Sequence, residues 1–223
     1  MKLRELSART GANTASIKYW IREGLLPAGK LRNTTTAVYD ERHVERIELI
    51  LTLREDFSLP IARIRALVAL IDDPEVALID VMEQCQLIAT GLPPSRTDDG
   101  SAGKAGSPPD GNADDDYAHD EVSAMMAEAG WLDVPTVARD ALVTELRKAA
   151  SAGVAYDRTT LSLYARSLSE IARGDISWVR PASSRDVVAR NLLRGAAAQT
   201  RILVAVNALA HTSAAIASQA VSQ

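Results

Sequence analysis

The chain has 223 residues, of which 47% are hydrophobic and only 4% aromatic, and its formal net charge is -4. This length allows one large domain or two small ones, each with a core of its own. Abundant Ala and Leu with little strand-like alternation predict a mainly helical protein. The single cysteine, Cys85, excludes an intramolecular disulfide, and the first residues lack the pattern of a signal peptide, so we expect a cytoplasmic protein.

The charge is unevenly distributed along the chain. Residues 1–71 carry 12 Lys/Arg against 8 Asp/Glu, residues 72–121 carry 2 against 13, and residues 122–223 carry 11 against 8. Because a binding surface is local, the basic excess of the first segment matters more for nucleic-acid binding than the acidic total.

The N-terminal residues predict two short helices joined by a tight turn. An amphipathic helix over residues 3–10 ends at Gly11, and a second begins at a cap formed by Asn13 or Thr14 and ends at Gly24. Two helices joined by a turn with glycine form a helix-turn-helix unit.

The next segments predict a small wing and two further helices. Residues 28–39, AGKLRNTTTAVY, break the helical period and suit a β-hairpin. Asp40 can cap a helix that runs through Glu55, and Ser58 can cap another with Pro60 in its first turn. The apolar residues of this last helix share one face: Ile61, Ile64, Val68 and Ile71.

The second helix is predicted to have two different faces. At 100° per residue, Ile17, Trp20 and Ile21 lie on one side, which we predict to be buried. The opposite side carries Ala15, Lys18, Tyr19 and Arg22. A cationic face with an aromatic ring suits a helix in the major groove, whereas a merely solvated face would also show this spacing.

Residues 2–71 resemble the DNA-binding domain of the MerR family of bacterial transcription regulators. The matching blocks are LRELSARTG, SIKYWIREGLLP, VYDERHVERIELI and LREDFSLPIARIRALV. The resemblance implies a dimer that binds promoter DNA and acts on RNA polymerase by distorting the DNA. Together with the cations of the wing and the fourth helix, it predicts these DNA-binding residues: Ser16, Lys18, Tyr19, Arg22, Lys30, Arg32, Tyr39, Arg63 and Arg65.

Two positions depart from the family pattern. Thr35, Thr36 and Ala37 stand where the family often has Gly-Tyr-Arg, so a phosphate-contacting arginine is missing. Ala15 replaces a residue that is usually basic, which puts base readout from that position in doubt.

Residues 74–90 predict one more helix with a short heptad-like seam for dimerisation. Its members are Leu78, Met82, Cys85 and Ala89. Two heptads are short for a self-sufficient coiled coil, so we expect a second dimer contact on a final helix over residues 187–217. Cys85 is expected to be a core residue, with an intersubunit thiol pair as the alternative.

Residues 91–120 are rich in Gly, Pro, Ser and Asp and predict a flexible acidic linker. A helical domain over 121–223 is expected to follow, with helices at 135–152, 157–173 and 183–217. Its rings form either an ordinary core or an apolar effector pocket: Trp131, Tyr156, Tyr164 and Trp178. The last helix resembles the final helix of TetR-type regulators.

Several classes of function lack a signal in the sequence. Residues 202–217 are flanked or interrupted by Arg194, Arg201, Asn207 and His211, which argues against a membrane span. We find no nucleophile motif, phosphate loop or ligand spacing, and therefore expect no catalysis, cofactor or metal.

These observations predict an all-α, winged helix-turn-helix regulator with four parts. They are a DNA-binding domain (1–71), a dimerisation helix (72–90), a linker (91–120) and a helical regulatory domain (121–223). We expect a cytoplasmic homodimer that binds promoter DNA and senses a small apolar molecule. The alternatives are a repressor that senses a partner protein or no effector, and a weakly selective structural DNA-binding protein.

Overall fold

The computed structural model describes residues 1–32, 36–92, 113–176 and 184–221. These residues form helices and one small sheet, so the fold is mainly α, as predicted. The elements in chain order are α1 (Leu3–Thr10), α2 (Thr14–Arg22), β1 (Lys30–Leu31), β2 (Ala37–Val38), α3 (Glu41–Leu51), a π-helical turn (Thr52–Asp56), α4 (Ile61–Asp72), α5 (Leu78–Thr90), α6 (Ala113–Ala129), α7 (Val137–Ser151), α8 (Arg158–Ile176) and α9 (Arg185–Val221).

The chain divides into two compact units that are not continuous in sequence. Unit 1 comprises Met1–Gly91 together with Pro181–Gln223, and unit 2 comprises Leu92–Arg180. The predicted boundaries placed residues 121–223 in one C-terminal domain. The structure instead groups α9 with the N-terminal elements, because the apolar face of α9 finds its partners there.

The predicted turns of the helix-turn-helix unit are confirmed by their backbone geometry. Gly11 follows α1 with φ of 75°, and Gly24 follows α2 with φ of 73°. Glycine adopts this left-handed conformation without a steric penalty, which lets the chain reverse abruptly after each helix. The side chain of Asn13 accepts a hydrogen bond of 2.7 Å from the backbone N–H of Ser16 and so caps α2.

The wing is a two-stranded antiparallel sheet in which Lys30 pairs with Val38 and Leu31 with Ala37. Its predicted tip, residues 33–35, lies outside the described residues. Tyr39 closes the base of the wing: a Cβ on Gly29 would lie 2.9 Å from its ring. Only glycine therefore permits this close approach of backbone and ring.

The passage from α3 to α4 differs from the prediction. Asp40 caps α3 as expected, but α3 continues into the π-helical turn, and Ser58 adopts a left-handed φ of 53°. The extra turn delays the chain reversal, so α4 begins at Ile61 with Pro60 at its N-cap and no side-chain cap from Ser58. The fixed φ of proline suits this boundary.

Unit 1 has a contiguous apolar core under the helix-turn-helix. Trp20 is only 2% exposed, as predicted from its place on the inner face of α2. The core also takes residues from both ends of the chain, since Ala189 and Leu193 of α9 join the same cluster as Val81 and Cys85 of α5. The final helix thus completes the core of unit 1.

A buried ion cluster ties α9 to this core. Arg46 on α3 is 4% exposed, and its Nε donates to Asp186 of α9 at 2.7 Å. Its Nη1 donates to Asp72, the last residue of α4, at 3.0 Å. Burial opposes the charge of Arg46, but hydrogen bonds to Asp72 and Asp186 outweigh it and raise its pKa. Three helices therefore meet at one guanidinium group.

Further polar contacts fix the direction of α9. Arg185 donates to the backbone carbonyl of Ile71 near the end of α4 and to those of Asp73 and Val76 in the connection between α4 and α5. Farther along, Arg190 pairs with Glu48 and Arg194 with Asp56. Because the partners advance along α3 and the π-helical turn as the residues of α9 advance, α3 and α9 run in the same direction.

Unit 2 consists of α6, α7 and α8 around a second apolar core. Its buried members are Ala118, Val122, Met125, Met126, Val143, Leu146, Leu161 and Ala165. The predicted linker extended to residue 120, but α6 begins at Ala113 and Ala118 is already buried. The helix predicted over residues 157–173 continues to Ile176. The acidic composition of residues 113–120 hid the start of α6, because Asp is a poor helix former inside a helix but favourable in its first turn.

The ion cluster should contribute more to stability than the exposed pairs beside it. Asp186→Ala leaves the buried Arg46 short of one partner, and we expect a loss of about 3 kcal/mol in the free energy of unfolding. Asp56→Ala removes the same group from the exposed pair with Arg194 and should cost less than about 1 kcal/mol. Urea unfolding followed by circular dichroism measures both, and equal losses would contradict the role assigned to the cluster.

Candidate nucleic-acid interface

The outer face of α2 carries the residues predicted to contact DNA. Lys18 and Arg22 are exposed, whereas Ser16 and Tyr19 are half-buried. The guanidinium carbon of Arg22 lies 5.3 Å from the centroid of the Tyr19 ring, within the range of a cation–π contact. Arg22 is therefore held along the helix surface while its donors stay accessible. Lys18, Tyr19 and Arg22 lie within about 100° of one another around α2, whereas Ser16 lies nearer the buried side with Trp20.

The wing presents a second group of exposed cations. Lys30 and Arg32 are exposed, and the backbone N–H of Arg32 donates to the carbonyl of Thr36 at 2.9 Å. Between them Leu31 is 74% exposed. Sequence reasoning did not single out Leu31, because a two-residue strand is too short for alternation to show which side chain faces outward.

Tyr39 has a different place from the one predicted for a DNA contact. It is 8% exposed and packs edge-on against His43, with ring centroids 5.1 Å apart. His43 also pairs with Asp40 at 2.6 Å, and this hydrogen bond lowers the pKa of the Asp40 carboxyl. Tyr39 thus supports the wing from the core, and contact of its hydroxyl with DNA stays a prediction.

The two arginines of α4 also differ from each other. Arg63 is exposed. Arg65 is bound to α2: its Nη2 pairs with Glu23 at 2.6 Å, and its Nε donates to the Glu23 carbonyl at 3.3 Å. A cation at the C-terminal end of α2 satisfies a free carbonyl and interacts favourably with the helix dipole. Arg65 therefore positions α2 against α4, with its charge balanced by Glu23.

The predicted dimerisation seam is partly covered within the chain itself. Cys85 is fully buried, whereas Met82 and Ala89 are half-buried and Leu78 is 39% exposed. The cover is α9, whose Leu193 lies in the same cluster as Cys85. Contact of this seam with a second copy stays a prediction, but Cys85 is already buried in the core of unit 1.

Three of the four aromatic residues predicted for an effector pocket lie in the described part of the chain, and the contacts given for them differ. Trp131 donates from Nε1 to Ser169 Oγ at 2.9 Å, and the rings of Tyr156 and Tyr164 lie 6.4 Å apart. Trp178 lies outside the described residues. A cavity of about 180 Å³ in unit 2 includes Trp131 but neither tyrosine, and is lined by Val122, Met125, Met126, Trp131, Thr136, Ala138, Arg139 and Leu142.

The cavity wall has one charged group, and its donors are already engaged. Arg139 pairs with Asp133 at 2.8 Å, and its Nη2 donates to Ser123 Oγ at 2.9 Å. Its Nη1 lies 3.2 Å from His119 Nδ1. The side chains facing the cavity are otherwise mostly apolar, and Met125 and Met126 are readily adapted to an apolar guest.

Comparison with known proteins agrees with this geometry. Residues 1–70 match the sequence model of the family described as MerR HTH family regulatory protein. Residues 1–70 are a MerR-family helix-turn-helix domain. The match confirms the resemblance seen in the sequence and identifies this segment as the DNA-binding domain of a transcription regulator. No curated protein matches the sequence.

A solved structure is similar over almost the whole chain. It is the crystal structure of a Streptomyces coelicolor A3(2) protein described as "the putative transcriptional regulator SCO5550". The two share 24% identity with a TM-score of 0.64, and the alignment covers 96% of this chain and 95% of the other. The shared fold therefore includes unit 2 as well as the MerR-family domain. The likeness of the last helix to TetR-type regulators stays a prediction.

The burial of Cys85 predicts an inert thiol. Burial raises its pKa to about 12, so almost no thiolate is present at pH 8. We expect no reaction with Ellman's reagent in the folded protein, and one thiol per chain in guanidinium chloride. Reaction of the folded protein at the rate of an exposed thiol would show that the contact between α5 and α9 opens readily.

Proposed function

We propose that the protein is a non-enzymatic, cytoplasmic transcription regulator that recognises promoter DNA in a sequence-specific way through the outer face of α2. The observation that carries this proposal is the segregation of α2, whose inner face is buried while Lys18 and Arg22 are exposed. A helix anchored on one side and cationic on the other fits the major groove. The family match over residues 1–70 supports the same function.

The wing extends the surface proposed to contact DNA. Lys30 and Arg32 can neutralise backbone phosphates beside the groove, and Arg63 adds a cation from α4. Arg65 acts indirectly, since its ion pair with Glu23 positions the end of α2. Phosphate contacts fix the orientation of the protein, whereas Ser16 and Tyr19 are the proposed readers of base edges.

Two copies are proposed to bind one promoter site. Helix-turn-helix proteins commonly bind palindromic half-sites as dimers. By resemblance to the MerR family, the dimer would act on RNA polymerase by distorting the spacer DNA. The alternative of a weakly selective structural protein predicts uniform binding along DNA, and footprints confined to one promoter distinguish the two.

The recognition face is tested by the salt dependence of binding. Lys18→Ala and Arg22→Ala should each weaken binding to all DNA sequences, and each should lower the slope of log K against log salt by about 0.9, the value for one lost phosphate contact. Fluorescence anisotropy with a labelled duplex at several salt concentrations gives this slope.

Arg201→Ala is the matched control, because it removes the same charge from an exposed position on α9. Its slope should stay at the wild-type value. Unchanged slopes for Lys18→Ala and Arg22→Ala would mean that α2 does not face the DNA.

The cavity of unit 2 favours a second part of the proposal, the sensing of a small apolar molecule. Its volume of about 180 Å³ suits a single small ring system. Because the donors of Arg139 are engaged within the protein, an apolar guest leaves no buried polar group unpaired. The alternative is a partner-docking unit without an effector.

Benzene, which has no hydrogen-bonding group, is a suitable probe of this cavity. We expect a millimolar excess of benzene to raise the melting temperature of the full chain, because a ligand that binds only the folded state stabilises it. Ala138→Phe places a ring at the cavity wall and should abolish the shift. Val134→Phe adds the same ring at an exposed position that does not line the cavity and should preserve it. An equal shift in both variants would contradict binding at this site.

A further inference from the structure

The last part of α9 projects from unit 1 without covering. Every residue from Val204 to Ser218 is exposed, whereas Ala189, Leu193 and Ala196 in the first part are buried. Residues 204–221 extend for about 27 Å at 1.5 Å per residue. A helix of this length is marginal in water unless an apolar face is packed.

The exposed part carries an apolar stripe with coiled-coil spacing. Ile202, Val206, Leu209 and Ile216 are 62%, 56%, 66% and 63% exposed and follow one another at intervals of four, three and seven residues. Ser213 occupies the remaining position of this pattern. At 100° per residue all five lie within about 40° of one line along the helix. We call these five residues the α9 stripe.

The α9 stripe lies on the side of the helix opposite the face used inside the protomer. Leu193 is buried in unit 1 and lies about 180° around the helix from Ile202. In the projecting part, that opposite side carries the polar residues Asn207, His211 and Ser218 together with Val204. Most of the large apolar side chains of the projecting helix therefore lie on the stripe, and unit 1 cannot cover the stripe with the surface that holds the first part of α9.

We propose that the α9 stripe is the interface with a second copy of this chain. The dimerisation seam predicted on α5 is partly buried within the protomer, because Cys85 and Val81 pack with α9 of the same chain. The α9 stripe is an apolar, heptad-spaced surface that stays open in unit 1, and two copies of it match without any charged group to pair, since residues 202–221 contain no Asp, Glu, Lys or Arg.

The area and the anchoring of α9 are sufficient for a dimer. Covering both stripes removes on the order of 1,000 Å² from water, the lower end of specific interfaces. The helices also lose little freedom on association, because Asp186, Arg190 and Arg194 already fix the first part of α9 to α3. The expected dimer dissociates in the micromolar range.

A lipid bilayer is the other environment that such a helix could enter. The segment Arg185–Ser218 is long and apolar enough by length and composition to cross a membrane, since an 18-residue stretch within it has a mean hydropathy of 1.2. Its first part, however, is packed in unit 1, and its last part carries a polar side with Asn207 and His211. A helix with a polar side suits a helical partner better than a hydrocarbon interior.

The inference deepens the proposed function, because palindromic DNA requires two copies, but it is tested without DNA. Sedimentation equilibrium of the full chain from about 1 to about 100 µM should show a reversible dimer. V206E/L209E buries two charges at the interface and should raise the dissociation constant at least about 100-fold. Circular dichroism should show the helix content of the wild-type monomer, measured below its dissociation constant, since both positions are exposed in the protomer.

V204E/H211E is the matched control. It adds the same two carboxylates to the opposite side of the projecting helix, where Val204 is 65% exposed, and should leave the dissociation constant near the wild-type value. A dimer unaffected by V206E/L209E, or weakened equally by both double variants, overturns the proposal. A wild-type chain that stays monomeric overturns it too, including one that floats with phosphatidylcholine vesicles.

Failure of this proposal and failure of the proposed DNA-binding function are distinguishable. Lys18→Ala and Arg22→Ala change DNA binding and leave the dimer in free solution intact if both proposals hold. If the α9 interface is disproved while Lys18→Ala and Arg22→Ala lower the salt slope as expected, only the dimer proposal fails and DNA binding through α2 is retained.

Discussion

The guanidinium group of Arg46 is the point on which the arrangement of unit 1 depends. It is buried between carboxylates of two other helices, Asp72 at the end of α4 and Asp186 at the start of α9. A buried charge is tolerated only when its partners are in place, so the positions of α3, α4 and α9 are interdependent. An apolar contact would permit sliding, whereas these directional hydrogen bonds define the register of α9.

The register of α9 determines which apolar surfaces are left for other partners. With Asp186 at Arg46, the following turns place Ala189 and Leu193 against α5. The inner side of α5 is thereby filled by the chain's own C-terminal helix. In the same register α9 extends past the rest of unit 1, so the side of α9 opposite its buried face stays exposed. Packing within the protomer and the surface proposed for the second copy are two results of one alignment.

Local signals predicted the helix-turn-helix well because its structure is determined by neighbouring residues. Gly11, Gly24 and the Asn13 cap each act within one turn, and the inner position of Trp20 follows from helical periodicity alone. The passage through Ser58 was not predictable in this way, since the π-helical turn before it is not encoded by a cap or a glycine. The start of α6 was hidden by its acidic composition, although Ala118 packs in a core.

The partner of α9 could not be predicted, for a different physical reason. Periodicity shows which face of a helix is apolar, but many surfaces of a protein can cover such a face. The contact of Arg46 with Asp186 joins residues 140 positions apart, and no local pattern relates them. The same limit applies to Tyr39, whose place in the family pattern was recognised while its burial against Gly29 depends on the folded wing.

The order of the two units along the chain has a consequence for regulation. Unit 2 lies in sequence between α5 and α9, and these two helices pack on each other in unit 1. Both covalent connections of unit 2 therefore lead to the same helix pair, one to each member. A ligand of unit 2 that changed self-association would have to favour one state of this helix pair over another. A ligand can shift such an equilibrium only by its difference in affinity for the two states. Coupling through α9 would thus change the self-association of the protein. It would not change the salt dependence with which a single copy binds DNA through α2.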